Sequence, residues 1–170
     1  MSSRIKTVIA ATAIAAAVIG VAGVAVAGGW GRSSGPDYTY GTPNPFADAH
    51  AVVHVVETGQ GKSHITLKVR GVDADAGRTF GAHVHERPCD AVDALRSGPH
   101  YQHAGPTETL EEREVWLDVT INKRGNGITH TTRPWSVDQS MPRSVVIHAL
   151  PTAENGTAGA RLACIDLDGN

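Results

Sequence analysis

The residues best able to do chemistry in this chain are its nine histidines. Two of them stand at i and i+2 in His83-Val84-His85. Around them Phe80, Ala82 and Val84 recur with period two, which reads as a strand with an apolar inward face. Residues i and i+2 of a strand share a face, so both imidazoles point together, away from that apolar set. His148 behaves alike, because Val145, Ile147 and Ala149 are the inward set of its strand. His100 comes from an irregular stretch, in Gly98-Pro99-His100-Tyr101. Imidazole nitrogen is a good ligand for copper and zinc. Two histidines on one strand, one on a distant strand and one on a loop can enclose a metal from several sides.

The elements that must position these side chains are strands. Ile65, Leu67 and Val69 alternate with His64, Thr66, Lys68 and Arg70, and the valine-rich run 49–57 precedes them across a Gly59-Gln60-Gly61 turn. Val115, Leu117, Val119 and Ile121 form another inward set, followed by a hairpin loop at 123–127. Residues 144–149 and 161–167 supply two more strands. Helical periodicity is absent. Several short strands with Gly-rich turns predict an all-β sandwich or barrel. The histidine pair then lies on its outer wall, covered by loops. The longest loop, 86–113, is of a length that is usually functional or tethered.

The chain has 170 residues, a length that suits one domain. A net charge of −2 and 5% aromatic content leave no basic patch and few stacking platforms, so no nucleic-acid partner is expected. Residues 1–27 carry Arg4 and Lys6, then an apolar run from Val8 to Val26 ending in Ala25-Val26-Ala27. This reads as a secretory signal peptide, with an uncleaved membrane anchor as the alternative. Its removal takes the formal charge from −2 to −4, since it holds two basic residues and no acidic one. Residues 28–45, with five glycines and three prolines, read as a flexible linker. The folded domain is then 46–170. A secreted or cell-envelope location makes the two cysteines, Cys89 and Cys164, most simply a disulfide, with two buried thiols as the alternative.

With those residues in view, the chain resembles the copper/zinc superoxide dismutase family. Gly81-Ala82-His83-Val84-His85-Glu86 is similar to that family's Gly-x-His-x-His segment, with Cys89 following as its loop cysteine does. Gly98-Pro99-His100-Tyr101 resembles the segment of the bridging histidine. Ser144-Val145-Val146-Ile147-His148-Ala149 resembles the last copper-ligand strand, and Gly159-Ala160-Arg161-Leu162-Ala163-Cys164 the Gly-x-Arg-Leu-Ala-Cys segment. The four occur in the family's order. The resemblance implies an eight-stranded Greek-key β-barrel with long loops over an external metal site. It implies copper on His83, His85, His100 and His148, a Cys89–Cys164 disulfide, and Arg161 at the mouth of the site, attracting superoxide as the small-molecule substrate.

The zinc half departs from the family's pattern. The corresponding stretch, Tyr101 to Asp118, holds one histidine, His103, and ends on Asp118, which is placed on a strand rather than in a loop. Glu111-Glu112-Arg113-Glu114 stands where a histidine is expected. The loop 149–160 is short and carries a single charge, Glu154. A zinc set of His103 and Asp118 is therefore doubtful, and a copper-only form with an open site is expected. His50, His54, His64 and His130 match no motif and read as surface residues. The function implied is an exported enzyme that dismutates superoxide to oxygen and hydrogen peroxide. The alternative is a non-catalytic copper-buffering protein on the same fold.

Overall fold

A computed structural model describes residues 26–33, 36–74, 76–104, 109–137 and 143–167. Most of the expected signal peptide lies outside the described residues. Among the described residues no helix is long and apolar enough to cross a membrane.

The described chain is all-β and antiparallel. One sheet has the order β1-β3-β4-β8, from Val26–Ser33, His50–Thr58, Ser63–Arg70 and Gly127–Arg133. The second has the order β2-β10-β9-β6, from Tyr38–Thr39, Arg161–Asp166, Ser144–His148 and Ala82–His85. A short pair, β5 (Thr79–Phe80) and β7 (Val119–Thr120), joins the chain segments leading into β6 and β8. The expected eight-stranded Greek-key sandwich is thus present as two four-stranded sheets with a small bridging ladder. Period-two burial explains it. Val53, Val55, Ile65 and Leu67 from the first sheet and Val145 and Ile147 from the second are at most 1% exposed and meet in one core. Removing apolar area from water at about 25 cal/mol per Å² drives that packing.

Two sequence readings need correction. The stretch 28–45 is not a free linker along its length. Gly28–Ser33 pairs residue by residue with Glu57–Val52, and Tyr38 and Thr39 pair with Cys164 and Ala163. Tyr40 adds a side-chain hydrogen bond from its hydroxyl to the Asp90 carbonyl. A strand at a sheet edge is held by its backbone ladder, which needs no apolar period. The strand expected over 115–121 is also shorter. Val115, Leu117, Val119 and Ile121 are all buried as expected, but the ladder covers only Val119–Thr120, with Trp116 meeting His83 in an isolated bridge.

The described parts of the long loop, 86–104 and 109–113, are folded back and tethered. They contain a 3-10 turn, Ala94–Ser97, capped by Asp93, and one short helix, α1 (Leu110–Arg113). Thr109 and Glu112 form a reciprocal capping box on α1. Cys89 and Cys164 are disulfide-bonded with Cα atoms 5.7 Å apart, which ties the start of this loop to β10.

Candidate metal centre

β6 carries His83 and His85, and its neighbour β9 ends on His148. His100 reaches the same place from the long loop, pairing with His85 through an isolated bridge. His83 and His85 are fully buried and His148 nearly so. They point away from the apolar core, as alternation requires, yet loops 86–104 and 149–160 cover that face. One ring nitrogen from each of the four lies within 4.8 Å of the others.

The other nitrogen of each ring is already committed. His85 Nδ1 donates to the Gly98 carbonyl at 2.9 Å, and His148 Nδ1 to the Gly159 carbonyl at 3.2 Å. His83 Nε2 meets the Thr152 hydroxyl at 2.8 Å. That hydroxyl donates to Asp118 Oδ1, so its oxygen accepts from His83. His100 Nδ1 lies 2.8 Å from Glu114 Oε2. Each outer partner fixes a tautomer whose remaining nitrogen bears a lone pair. His83 Nδ1, His85 Nε2 and His148 Nε2 are buried with no hydrogen-bond partner. Three orphaned lone pairs and a fourth imidazole brought within 4.8 Å fit a metal ion that favours neutral imidazole donors, such as copper or zinc.

Electrostatics keep the His83, His85 and His148 rings neutral. Burial, reinforced by the neighbouring histidines and Arg161, lowers the pKa of His83 to about 2. Burial also takes His85 to about 2 and His148 to about 4, against the opposing backbone hydrogen bonds to Gly98 and Gly159. A neutral ring is the form that ligates metal.

Sequence reasoning missed Glu114. Its side chain is 2% exposed and accepts from three residues: His100, Gln102 Nε2 at 2.8 Å and Trp116 Nε1 at 2.6 Å. Burial alone would raise its pKa, but the hydrogen bonds from His100, Trp116 and Gln102 outweigh it and leave it below the ordinary value. Thr152 was missed too. Its loop comes close because β6 is preceded by Gly81, where a Cβ would sit 2.7 Å from Ala158 Cβ and 2.8 Å from Thr152 Oγ1.

The residues offered for zinc are not brought together. His103 stacks on Trp135 with ring centroids 4.7 Å apart. Asp118 is occupied by the backbone and hydroxyl of Thr152. Neither belongs to the four-histidine group. Arg161 stands opposite His148 in the β9–β10 register and lines a cleft with His100, His148, Leu95 and Thr157. Its guanidinium donates to the Ala94 carbonyl, Ser97 Oγ and the Gly98 carbonyl at 2.7–2.8 Å.

An antiparallel β-sandwich with a buried four-imidazole donor set under its loops is the class of protein that fold and site define. The chain belongs to the copper/zinc superoxide dismutase family, whose family model, described as copper/zinc superoxide dismutase (SODC), matches residues 49–165. A curated relative, "Superoxide dismutase [Cu-Zn]" of Podospora anserina, is 29% identical over 133 residues, which is 67% of this chain and 85% of the relative. Two solved structures share the fold. The clock protein EA4 superposes with a TM-score of 0.54 at 19% identity, covering 75% of this chain and 96% of that one. A double mutant of a SOD-like protein from Bacillus subtilis gives 0.53 at 16% identity, covering 70% and 89%.

Proposed function

We propose that this chain is an exported superoxide dismutase that holds a single copper on His83, His85, His100 and His148. Bound copper would supply the one-electron redox chemistry, accepting an electron from one superoxide and returning it to another. The observation that carries the reading is the set of buried, unpartnered ring nitrogens at His83, His85 and His148, closed by His100.

The chain's own residues do the rest. Glu114 holds the Nδ1 proton of His100 and fixes that ring's orientation. His100 is 18% exposed at its side chain, so it stands between the buried carboxylate and the open cleft. Arg161 supplies a fixed positive charge in the same cleft, on a chain that is otherwise acidic. A focused positive field raises the encounter rate with a small anion by about tenfold or more. A copper-only centre is supported by the use of His100 Nδ1 on Glu114, because that nitrogen is then unavailable to a second metal.

The test is made on one purified sample. Metal analysis after loading with both ions should find about one copper per chain at the inner cluster, and superoxide decay should accelerate in proportion to copper. Copper uptake without turnover would select the buffering alternative. Zinc uptake that depends on His103 would overturn the copper-only part.

A further inference from the structure

Four of the nine histidines form the inner cluster and His103 lies against Trp135. The other four, His50, His54, His64 and His130, are all exposed, and all lie in the first sheet. Burial alternates along each strand. Ala51, Val53 and Val55 of β3 and Ile65, Leu67 and Val69 of β4 point into the core, which sends His50, His54 and His64 to the outer face. On β8 the exposed set is Ile128, His130 and Thr132.

The register sets three of them at adjoining positions of the same outer face. His54 of β3 and His130 of β8 are both opposite Thr66 of the central strand β4. His64 stands two residues before Thr66, so it is the diagonal neighbour of both. Diagonal positions on one face of an antiparallel pair are about 7–8 Å apart, within reach of long side chains. The right-handed twist of the sheet draws in the diagonal to the residue two positions before the direct partner. His64 holds that position toward both flanking strands. Metal–imidazole bonds are about 2 Å long, so rings leaning from such positions can share one ion.

The surroundings leave room and supply orientation. The residue opposite His54 on its other side is Gly31. His64 Nδ1 already meets Thr132 Oγ1 at 2.9 Å, which directs the ring and leaves Nε2 free. The outward positions of β3, β4 and β8 carry no carboxylate. Lys68 and Arg70 lie beyond Thr66, on the side away from His64. A donor set of neutral imidazoles without carboxylate selects Zn(II) or Cu(II) over Ca(II) or Mg(II).

We propose that His54, His64 and His130 form a second, surface site for an imidazole-preferring divalent ion on the outer face of the first sheet. It is separate from the inner cluster and does not rest on the enzymatic reading. His50, four residues along β3 from His54 and opposite Arg70, stands outside it.

Zn(II) is the probe, titrated into the folded full chain and followed by histidine-ring NMR and calorimetry. One binding event should shift the rings of His54, His64 and His130 together. H64Q should weaken that event by at least about tenfold, since loss of even an outer partner of a metal ligand commonly costs that much. H50Q should leave it unchanged. These positions are exposed, so the variants keep the core intact. Zn(II) uptake that leaves the three rings unmoved, or an affinity unchanged in H64Q, overturns the proposal. Shifts at His83, His85, His100 and His148 are read separately and bear on the inner site alone.

Discussion

Glu114 Oε2 sits 2.8 Å from His100 Nδ1 and also accepts from Trp116 Nε1, while Oε1 of the same carboxylate accepts from Gln102 Nε2. The far side of His100, the most exposed of the four clustered histidines, is therefore occupied by a buried carboxylate of the chain itself. Hydrogen bonds to a charged group contribute about 1.5–3 kcal/mol each, so removing this acceptor leaves three donors unmet. E114A should lower the melting temperature, loosen copper and shift the pH profile of turnover. E114Q, which keeps an acceptor oxygen but loses the charge, should be milder in stability and similar in pH profile. An E114A variant with wild-type copper affinity and pH profile would make Glu114 a packing residue only.

Arg161 and His85 share one acceptor, the Gly98 carbonyl. Arg161 is thereby structural as well as electrostatic. R161A should reduce the second-order rate with superoxide several-fold, about 1 kcal/mol in barrier, and flatten its dependence on salt. R161K keeps the charge but not the fork that holds Ala94, Ser97 and Gly98, so it should retain the salt slope while losing some copper retention. R161E should be slowest. Stopped-flow decay at several ionic strengths separates the four proteins.

The Cys89–Cys164 bond closes a separation of 75 residues. In the chain-entropy model that is worth about 4 kcal/mol. C89A should therefore lower the melting temperature by many degrees and weaken copper retention, because the bond anchors the loop that presents His100. Melting of oxidised wild type and C89A at equal copper loading measures both effects.

The metal-free protein should be sensitive to acid. His83, His85 and His148 have folded pKa values below the ordinary 6.5, at about 2, about 2 and about 4. The unfolded chain therefore takes protons first as pH falls. Stability from these groups is full above about 6.5 and is lost below it, continuing to about 4 for His148 and about 2 for the other two. The slope is about 1.4 kcal/mol per pH unit for each histidine in that window. Denaturant melts of the metal-free protein at pH 7.5 and 5 should differ, and replacing His148 by Gln should reduce the difference.

Much of the centre was legible from the sequence because strand geometry is local. Period-two alternation alone places His83 and His85 on one face, sends His148 outward and turns the apolar residues between them inward. The order of four short motifs identifies the family and with it the loop histidine, His100. None of this requires knowing which strands are neighbours.

What only the tertiary structure decided is everything that depends on which distant segments meet. Glu114 is one of three glutamates within four residues, and nothing local sets it apart. The capped turn of α1 and the Trp116 bridge to β6 carry it to His100. Thr152 is an ordinary loop hydroxyl until the missing Cβ of Gly81 lets its loop close on His83. His54, His64 and His130 are scattered over 77 positions of sequence numbering and become neighbours only through the β3–β4–β8 register. The Gly-rich segment 28–33 has no side-chain pattern to read, and its backbone groups find partners only when β3 offers a free edge. Alternation is a property of one strand, whereas register, loop closure and shared acceptors are properties of pairs, and those pairs exist only in the folded chain.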